Sequence, residues 1–258
     1  MKIAVCVKQI PDPNTPYVLD PETHFIDRPA EQVLDDTDRF GIEVALQIAE
    51  KTEGEVVLVS MGPAGALRGI RQALSMGADR AIVIDDAALR GSGALVTAKV
   101  LAAAIRKEEP DLVIAGTEST DGYTGIVPQQ LAELLDLPAL TYAKRVEHDG
   151  DTIRIERMTT IGYDVVEARL PALVTVTSGV AEPRYPSFKG IMAGNTKPVD
   201  QPSCADLGFS AEQVGIGGSA QQIIEVRDAL ERQAGRLVVD EGEAHLEIVS
   251  LLERAKVI

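Results

Sequence analysis

The sequence predicts an α/β protein in which a doubly wound, mostly parallel sheet carries helices on both faces. Through the first 140 residues, short apolar runs rich in β-branched side chains alternate with longer amphipathic runs. That alternation is typical of parallel strands joined by right-handed helical crossovers. The short runs are continuously apolar and end at turn residues, which indicates strands buried on both faces of the sheet.

This first part of the chain contains four predicted strands, each followed by a predicted helix. The strands cover residues 2–7, 55–60, 80–84 and 111–116, and the helices cover residues 38–51, 64–76, 92–107 and 124–135. In the last two helices the apolar side chains have the spacing of one buried face. They are Leu95, Val96, Val100 and Leu101, followed by Leu131, Leu134 and Leu135.

The pattern changes after residue 138, where the chain predicts an added β-hairpin region. Four more strands are predicted at residues 139–146, 152–158, 164–169 and 172–177. A polar turn at 148–151 joins the first two strands into a hairpin. Leu170 and Pro171 separate the last two strands.

The last quarter of the chain predicts a long loop and a helical arm. Residues 182–210 lack periodicity and are rich in Pro, Gly and Lys, and loops of this length are usually functional or disordered. Helices are predicted over residues 220–235 and 241–254, after a glycine-rich spacer. We therefore expect one α/β domain over residues 1–210 and a C-terminal helical arm over residues 211–258.

Charge and composition exclude several classes of function. With 25 Lys and Arg against 40 Asp and Glu, the net charge is −15, which argues against nucleic-acid and anionic-membrane partners because polyanion binding needs basic side chains. No run of 18 apolar residues is present, so no membrane insertion is expected, and the N-terminal apolar run is too short for a signal peptide. Two distant cysteines and three histidines predict neither disulfides nor a metal centre. We expect a soluble, cytoplasmic protein.

The strongest candidate binding site is the stretch 116–125, which follows the predicted strand 111–116. The usual glycine-rich cradles for dinucleotides and triphosphates are absent from the sequence. Small and hydroxyl-bearing residues in this stretch let backbone N–H groups and the next helix N-terminus bind an anion such as phosphate. Ligands of open parallel sheets bind at this edge. The alternative is an ordinary loop in which Thr120 or Thr124 only caps the helix.

Two other strand ends, residues 6–8 and 60–63, face the same predicted crevice. Cys6 and Met61 could line an apolar slot for an adenine ring, or both could be core residues. Lys8 could meet a phosphate or could be solvated. These alternatives stay open at the level of the residues.

No arrangement of nucleophile, base and orienting residue is visible in the sequence. His24 and His148 lie in polar stretches without a carboxylate or cysteine at ligand spacing. The acidic run at residues 35–38 fits either a metal site or the favourable start of a helix. No catalytic residue is therefore assigned.

Four motifs follow one another along the chain: VCVKQIPD at residues 5–12, ALSMGADR at 73–80, AGTESTDG at 115–122 and EPRYPSFKGIM at 182–192. Together they resemble the β subunits of electron transfer flavoproteins, most closely the actinobacterial branch of that family. No single motif is decisive, but four in this order along a chain of matching length form a specific signal. The resemblance runs from the first residue to the C-terminal tail and implies a Rossmann-like, adenine-nucleotide-binding fold.

The resemblance implies an electron carrier subunit rather than an enzyme. Members of the family are αβ heterodimers in which one FAD, held mainly by the α subunit, takes electrons from acyl-CoA dehydrogenases and related flavoenzymes. The electrons pass on to a membrane quinone oxidoreductase. The β subunit helps to enclose that FAD and binds an AMP of its own. Its partner-recognition loop, here residues 182–198, docks on the dehydrogenase, and its C-terminal arm packs on the α subunit.

Two other hypotheses remain. In electron-bifurcating relatives the β subunit binds a second FAD in place of AMP, with NADH as the donor; the loop at residues 182–198 favours the AMP-binding type. The other hypothesis is a stand-alone adenine-nucleotide-binding protein of the universal-stress type, which shares the α/β order. It predicts a homodimer and leaves residues 182–258 without a role.

Carried over residue by residue, the resemblance predicts a nucleotide site and a partner site. The nucleotide site comprises Cys6, Asp35, Asp36, Thr37, Asp38, Met61, Gly116, Thr117, Glu118, Ser119, Thr120, Asp121, Gly122, Tyr123, Thr124, Gly125, Ile126 and Val127. The partner site comprises Arg184, Tyr185, Pro186, Phe188, Lys189, Ile191 and Met192. Within the partner site, Phe188 occupies the position of the family's apolar anchor.

The chain departs from the family pattern at three places. Gly122, Tyr123 and Ile126 stand where the family's phosphate loop often has an Asp-rich run and a Gln. Met158 replaces an acidic residue, and the run at 35–38 differs in side-chain type. Backbone N–H groups can still hold a phosphate, but the family's side-chain contacts and the role of that acidic residue do not transfer.

Overall fold

The structure, a computed structural model, describes residues 1–227, 229–230 and 235–258. The chain divides into two compact units, Met1–Ile224 and Glu225–Ile258, and each is described by itself. None of the helices in the described ranges has both the length and the apolar character needed to cross a bilayer.

The secondary structure of the described residues is mixed. The strands, in chain order, are β1 (Lys2–Cys6), β2 (Gln9–Ile10), β3 (Val33–Leu34), β4 (Glu55–Met61), β5 (Arg80–Ile84), β6 (Leu112–Gly116), β7 (Ala139–Asp149), β8 (Thr152–Met158), β9 (Tyr163–Arg169), β10 (Ala172–Val176) and β11 (Val199–Asp200). The α-helices are α1 (Asp36–Thr52), α2 (Arg68–Met76), α3 (Ala94–Glu108), α4 (Val127–Leu135), α5 (Phe188–Gly194), α6 (Gly215–Gly218) and α7 (Ala244–Arg254).

A nine-stranded sheet in the order β11-β5-β4-β1-β6-β10-β7-β8-β9 forms the centre of the first unit. The strands from β11 to β7 are parallel, and β8 and β9 extend one edge as antiparallel strands. Successive residues of β1 enter different layers: Ile3 and Val5 pack with α1 and α2, whereas Ala4 packs with α3 and α4. Both faces are covered in the parallel part of the sheet, which is why strands such as β4, β6 and β10 are continuously apolar. The edge strand β9 is mostly exposed. The predicted doubly wound α/β class is confirmed.

Most predicted elements are confirmed with shifted ends. The helix predicted from residue 64 begins at Arg68, because Leu67 has a left-handed backbone with φ 54°. The helix predicted from residue 124 begins at Val127, because Gly125 has φ 63°. β2 and β3 form a separate two-stranded antiparallel sheet, which is too short for any periodicity to predict.

The prediction of a long loop without regular structure over residues 182–210 is wrong in part. It contains α5, a 3-10 turn at Ala205–Leu207, and β11, which pairs with β5. The Ser187 hydroxyl caps α5 by accepting a hydrogen bond from the Gly190 N–H at 3.0 Å. Glycine lets α5 lie directly against α2, since a Cβ at Gly190 would be 2.6 Å from the Ser75 carbonyl oxygen. Because α5 packs on α2 through backbone atoms, its sequence needs no periodic apolar face. The helix could therefore not be predicted from an apolar pattern.

The prediction of a helix over residues 220–235 is wrong for those residues of the range that the structure describes. Residues 220–227, 229, 230 and 235 are not helical, and residues 228 and 231–234 lie outside the described residues. The described side chains of this run are exposed, so no buried face stabilises a helix there. The helix predicted over residues 241–254 is confirmed as α7, which begins at Ala244.

Candidate functional site

The carboxyl ends of β1, β4, β5 and β6 open into a cleft of about 1720 Å³. The N-termini of α3 and α4 lie at the same edge, and residues within 22–28 and 216–223 form the outer walls. Ligands of parallel α/β sheets bind at this edge. Pockets for drug-sized ligands usually measure roughly 300–1,000 Å³, so the cleft can take a mononucleotide or a larger ligand.

The structure brings most of the predicted nucleotide-site residues together around this cleft. Those that line it are Cys6, Asp38, Met61, Gly116, Thr117, Glu118, Ser119, Gly122, Thr124, Gly125 and Val127. The predicted residues outside the described lining are Asp35, Asp36, Thr37, Thr120, Asp121, Tyr123 and Ile126. Among these, Asp35 and Asp121 are buried, and their carboxylates bind other parts of the protein.

The loop between β6 and α4 carries unpaired backbone donors. Within the described residues, the N–H groups of Thr124, Gly125 and Ile126 have no acceptor. Ile126 is the N-cap of α4, and no side chain caps this helix. Neither Thr120 nor Thr124 caps α4, so the capping role that the alternative interpretation gave these two residues is wrong. Free N–H groups at a helix N-terminus are suited to an anion.

Asp35 connects the start of α1 to the β6–α4 loop. Its Oδ1 accepts hydrogen bonds from the Thr37 N–H at 3.0 Å and the Thr37 hydroxyl at 2.8 Å, and so caps α1. Its Oδ2 accepts from the Thr120 N–H at 2.7 Å and the Thr120 hydroxyl at 3.0 Å. The acidic run is thus the start of a helix. No group of three or more His, Cys, Asp and Glu side chains in the described part of the chain could hold a metal ion.

Asp121, within the same loop, lies between two basic side chains. The Lys8 Nζ is 2.7 Å from its Oδ1, and the Arg28 Nη2 is 2.5 Å from its Oδ2. Burial alone would raise the pKa of Asp121, but the two cations hold that pKa below its usual value. Lys8 also donates to the Ser119 hydroxyl at 3.2 Å. Lys8 therefore lines the cleft as part of an ion pair and is not a freely solvated lysine.

Asp38 and Cys6 also line the cleft. Burial, together with the charge of Asp35, raises the pKa of Asp38 well above its usual value. The Asp38 Oδ2 accepts the Lys8 backbone N–H at 2.7 Å. Burial, and then the charge of Asp38, raise the pKa of Cys6 to about 12. The thiol therefore stays protonated at neutral pH and is not a nucleophile.

Sequence reasoning missed two walls of the cleft. One wall contains Asp85 and Asp86, at the end of β5, and continues to Thr97. The parallel sheet itself predicts this wall, because the carboxyl ends of all its parallel strands, including β5, lie at the same edge. The other wall, at residues 22–28, is irregular and polar, and it is attached through the contact of Arg28 with Asp121. No local pattern predicts such a contact.

The predicted partner-site residues lie in and just before α5. Tyr185 is 89% exposed, Phe188 81%, Met192 58% and Ile191 48%. Lys189 is exposed and Pro186 is half-buried. Neighbouring exposed apolar side chains of this kind are typical of docking surfaces.

Arg184 differs from the other predicted partner-site residues. Its guanidinium binds Glu43 and Glu50 on α1. The Arg71 Nη1 donates to the carbonyl oxygens of Gly194 and Lys197, at 3.1 and 2.7 Å. The segment that carries the exposed side chains is thus tied to α1 and α2.

The chain is similar to known proteins along almost its whole length. The model of the electron transfer flavoprotein domain matches residues 23–207. The electron transfer flavoprotein subunit beta of Mycobacterium tuberculosis is 40% identical over 263 positions, which cover 99% of both chains. The subunit of the same name from Thermoanaerobacterium thermosaccharolyticum is 36% identical and covers 98% of this chain and 97% of its own. The caffeyl-CoA reductase-Etf complex subunit CarD of Acetobacterium woodii is 34% identical over 86% of each chain.

Proposed function

This chain belongs to the β-subunit family of electron transfer flavoproteins, and from that membership we propose that it is one half of an αβ electron carrier. The carrier accepts electrons from acyl-CoA dehydrogenases and related flavin dehydrogenases and delivers them to a membrane quinone oxidoreductase. The FAD that carries the electrons is held mainly by the α subunit, and this chain helps to enclose it. The full-length similarity to subunits of that name supports the proposal.

In this proposal the cleft binds AMP. The observation that carries it is the β6–α4 loop, where the N–H groups of Thr124, Gly125 and Ile126 lack an acceptor in the described chain beside an uncapped helix N-terminus. A phosphate supplies the missing acceptors. Cys6 and Met61, which also line the cleft, provide apolar surface for an adenine ring. The chain's own part is to bind and orient the nucleotide, which requires no acid or base.

Two exposed apolar surfaces support the proposal that this chain binds two protein partners. Tyr185, Phe188, Ile191 and Met192 form a surface suited to the dehydrogenase, with Phe188 as the anchor because exposed aromatic side chains contribute most to small interfaces. In the second compact unit, Leu246, Ile248 and Leu251 of α7 are more than half exposed. A helix with so much exposed apolar surface requires a partner, and the proposed partner of the arm is the α subunit.

A second candidate is the electron-bifurcating type, in which the cleft binds a second FAD and NADH is the donor. The volume of the cleft, about 1720 Å³, favours it because a dinucleotide needs more room than AMP. A relative from a reductase complex also matches most of the chain. The stand-alone stress-type protein has no comparable support, because family similarity covers 99% of the chain.

Nucleotide content distinguishes the two candidates. The chain is co-expressed with its α subunit, the purified complex is denatured with acid, and the released AMP and FAD are quantified by chromatography. One FAD and one AMP per heterodimer are expected. Two FAD and no AMP would establish the bifurcating type, and no nucleotide beyond one FAD would contradict the assignment of the cleft.

A further inference from the structure

We propose that Asp35 is a positioning residue, which braces Thr120 and so holds the β6–α4 loop in the shape that binds the nucleotide phosphate. Asp35 itself makes no contact with the nucleotide. This inference rests on the proposed nucleotide-binding function. The neighbouring carboxylates do not bind Thr120: Asp36 pairs with Arg39, and Asp38 accepts a hydrogen bond from the Lys8 backbone N–H.

Asp35 has no capacity left for a ligand. Each of its carboxylate oxygens accepts two hydrogen bonds, from Thr37 on one side and from Thr120 on the other. A carboxylate offers about four acceptor positions, and all four are filled. The side chain has no exposed surface. It therefore acts through the loop.

The loop needs such a brace because of its backbone. Tyr123 and Gly125 both have left-handed φ angles, 49° and 63°, and this conformation is uncommon for a bulky residue such as Tyr. Such a conformation persists only where the surrounding structure imposes it. Two attachment points lie directly before this turn: Thr120, held by Asp35, and Asp121, held by Lys8 and Arg28. The free N–H groups of the loop follow them, so their positions depend in part on where Asp35 holds Thr120.

The variant Asp35→Asn separates the contact with Thr37 from the contact with Thr120. An Asn side chain has one acceptor oxygen and one NH₂ donor. It can still cap α1 through Thr37, since Asn is a good N-cap, but its NH₂ group then meets the Thr120 N–H, donor against donor. Asp35→Asn thus preserves the size and the helix cap and removes the hydrogen bond from the Thr120 N–H, while the Thr120 hydroxyl can turn to accept from the Asn NH₂ group. Asp36→Asn is the matched control, because the Asp36 side chain is 79% exposed and pairs only with Arg39 among the described residues.

The test compares AMP with adenosine. The full chain in complex with its α subunit is freed of nucleotide and titrated calorimetrically with each ligand. Asp35→Asn is expected to weaken AMP binding about tenfold, the equivalent of one lost charge-assisted hydrogen bond, and to change adenosine binding less than about twofold. Adenosine has no phosphate and so does not report on the loop. Removal of a negative charge would by itself strengthen AMP binding, so a loss cannot arise from charge.

Two further variants keep the test decisive if Asp35→Asn folds poorly. Thr120→Val removes the hydroxyl donor and should weaken AMP binding selectively, whereas Thr120→Ser keeps both donors and should weaken it less than Thr120→Val does. Hydrogen–deuterium exchange of the nucleotide-free complex adds a readout that requires no ligand. Residues 117–126 should exchange faster in Asp35→Asn and at the wild-type rate in Asp36→Asn.

The outcomes separate the inference from the proposed function. Equal losses for AMP and adenosine, or unchanged exchange of the loop in Asp35→Asn, would overturn the positioning role. Wild-type complex that binds neither ligand would overturn the proposed nucleotide site, and the exchange measurement would still decide whether Asp35 braces the loop.

Discussion

Arg184 binds both carboxylate oxygens of Glu43, with its Nε 2.8 Å from Oε2 and its Nη2 3.1 Å from Oε1. The Arg184 backbone N–H donates to Oε2 as well, at 3.1 Å. Glu43 is buried on α1. The chain is therefore fixed to the core four residues before Phe188, and the exposed apolar side chains of α5 stand on a fixed support.

Glu43→Gln should loosen the attachment of the segment before α5 and weaken docking of the acyl-CoA dehydrogenase that we propose as a partner. Gln keeps the size of the side chain but removes the charge, and hydrogen bonds to charged groups contribute about 1.5–3 kcal/mol. We expect a loss of about that size in the free energy of unfolding, and a higher KM for the dehydrogenase in an electron-transfer assay. Glu50→Gln is the control. Glu50 is a mostly exposed partner of the same arginine, so its loss should cost less than about 1 kcal/mol. Equal effects of the two variants would contradict the role of Glu43.

Phe188→Ala should weaken docking without destabilising the fold. The side chain is 81% exposed, so its removal should change the free energy of unfolding by less than about 0.5 kcal/mol. Loss of an aromatic anchor should raise the KM for the dehydrogenase about tenfold or more. Ile161→Ala removes another exposed side chain, 98% exposed, between β8 and β9, and should leave the KM unchanged. A similar KM increase in both variants would show that Phe188 has no special role.

The sheet and its helices could be predicted from sequence because the burial of each element produces a pattern of apolar residues within a short segment. Strands such as β4 are buried on both faces and read as continuous apolar runs. The short helix α5 could not be predicted, because its contacts are with distant backbone atoms. One example is Lys197, which follows α5 and whose Nζ donates to carbonyl oxygens at the end of α2, including those of Leu74 and Gly77.

The candidate cleft could be located from sequence, but the contacts of its side chains could not. The rule that ligands bind at strand ends led to the β6–α4 loop, which lines the cleft. The partners of the buried carboxylates are far away in the chain: Thr120 is 85 residues from Asp35, and Asp121 is 113 residues from Lys8. Pairings over such distances follow from the tertiary fold, and no local motif encodes them.

Gly190→Ala should move α5 away from α2. A Cβ at this position would lie 2.6 Å from the Ser75 carbonyl oxygen, and a backbone atom cannot give way as a flexible side chain can. Overpacking of this kind typically costs about 1–3 kcal/mol, which thermal unfolding would detect as a lower Tm. Gly162→Ala is the matched control, since its Cβ would meet no atom within 4 Å and should leave Tm unchanged. A wild-type Tm in Gly190→Ala would contradict the close packing of α5.

Asp38→Asn should remove a pH-dependent loss of stability. Burial raises the pKa of Asp38 well above the ordinary value of 3.8, so the folded state binds its proton more tightly than the unfolded chain does. As the pH rises through the interval between the two pKa values, the unfolded chain releases the proton first, and the free energy of unfolding falls. The Asn amide oxygen can still accept the Lys8 N–H but does not titrate. The free energy of unfolding of the variant minus that of the wild type should therefore increase as the pH rises from about 4 towards neutral pH. Denaturant titrations across this range measure the difference, with Asp36→Asn as the control. A difference that does not change with pH would contradict the elevated pKa of Asp38.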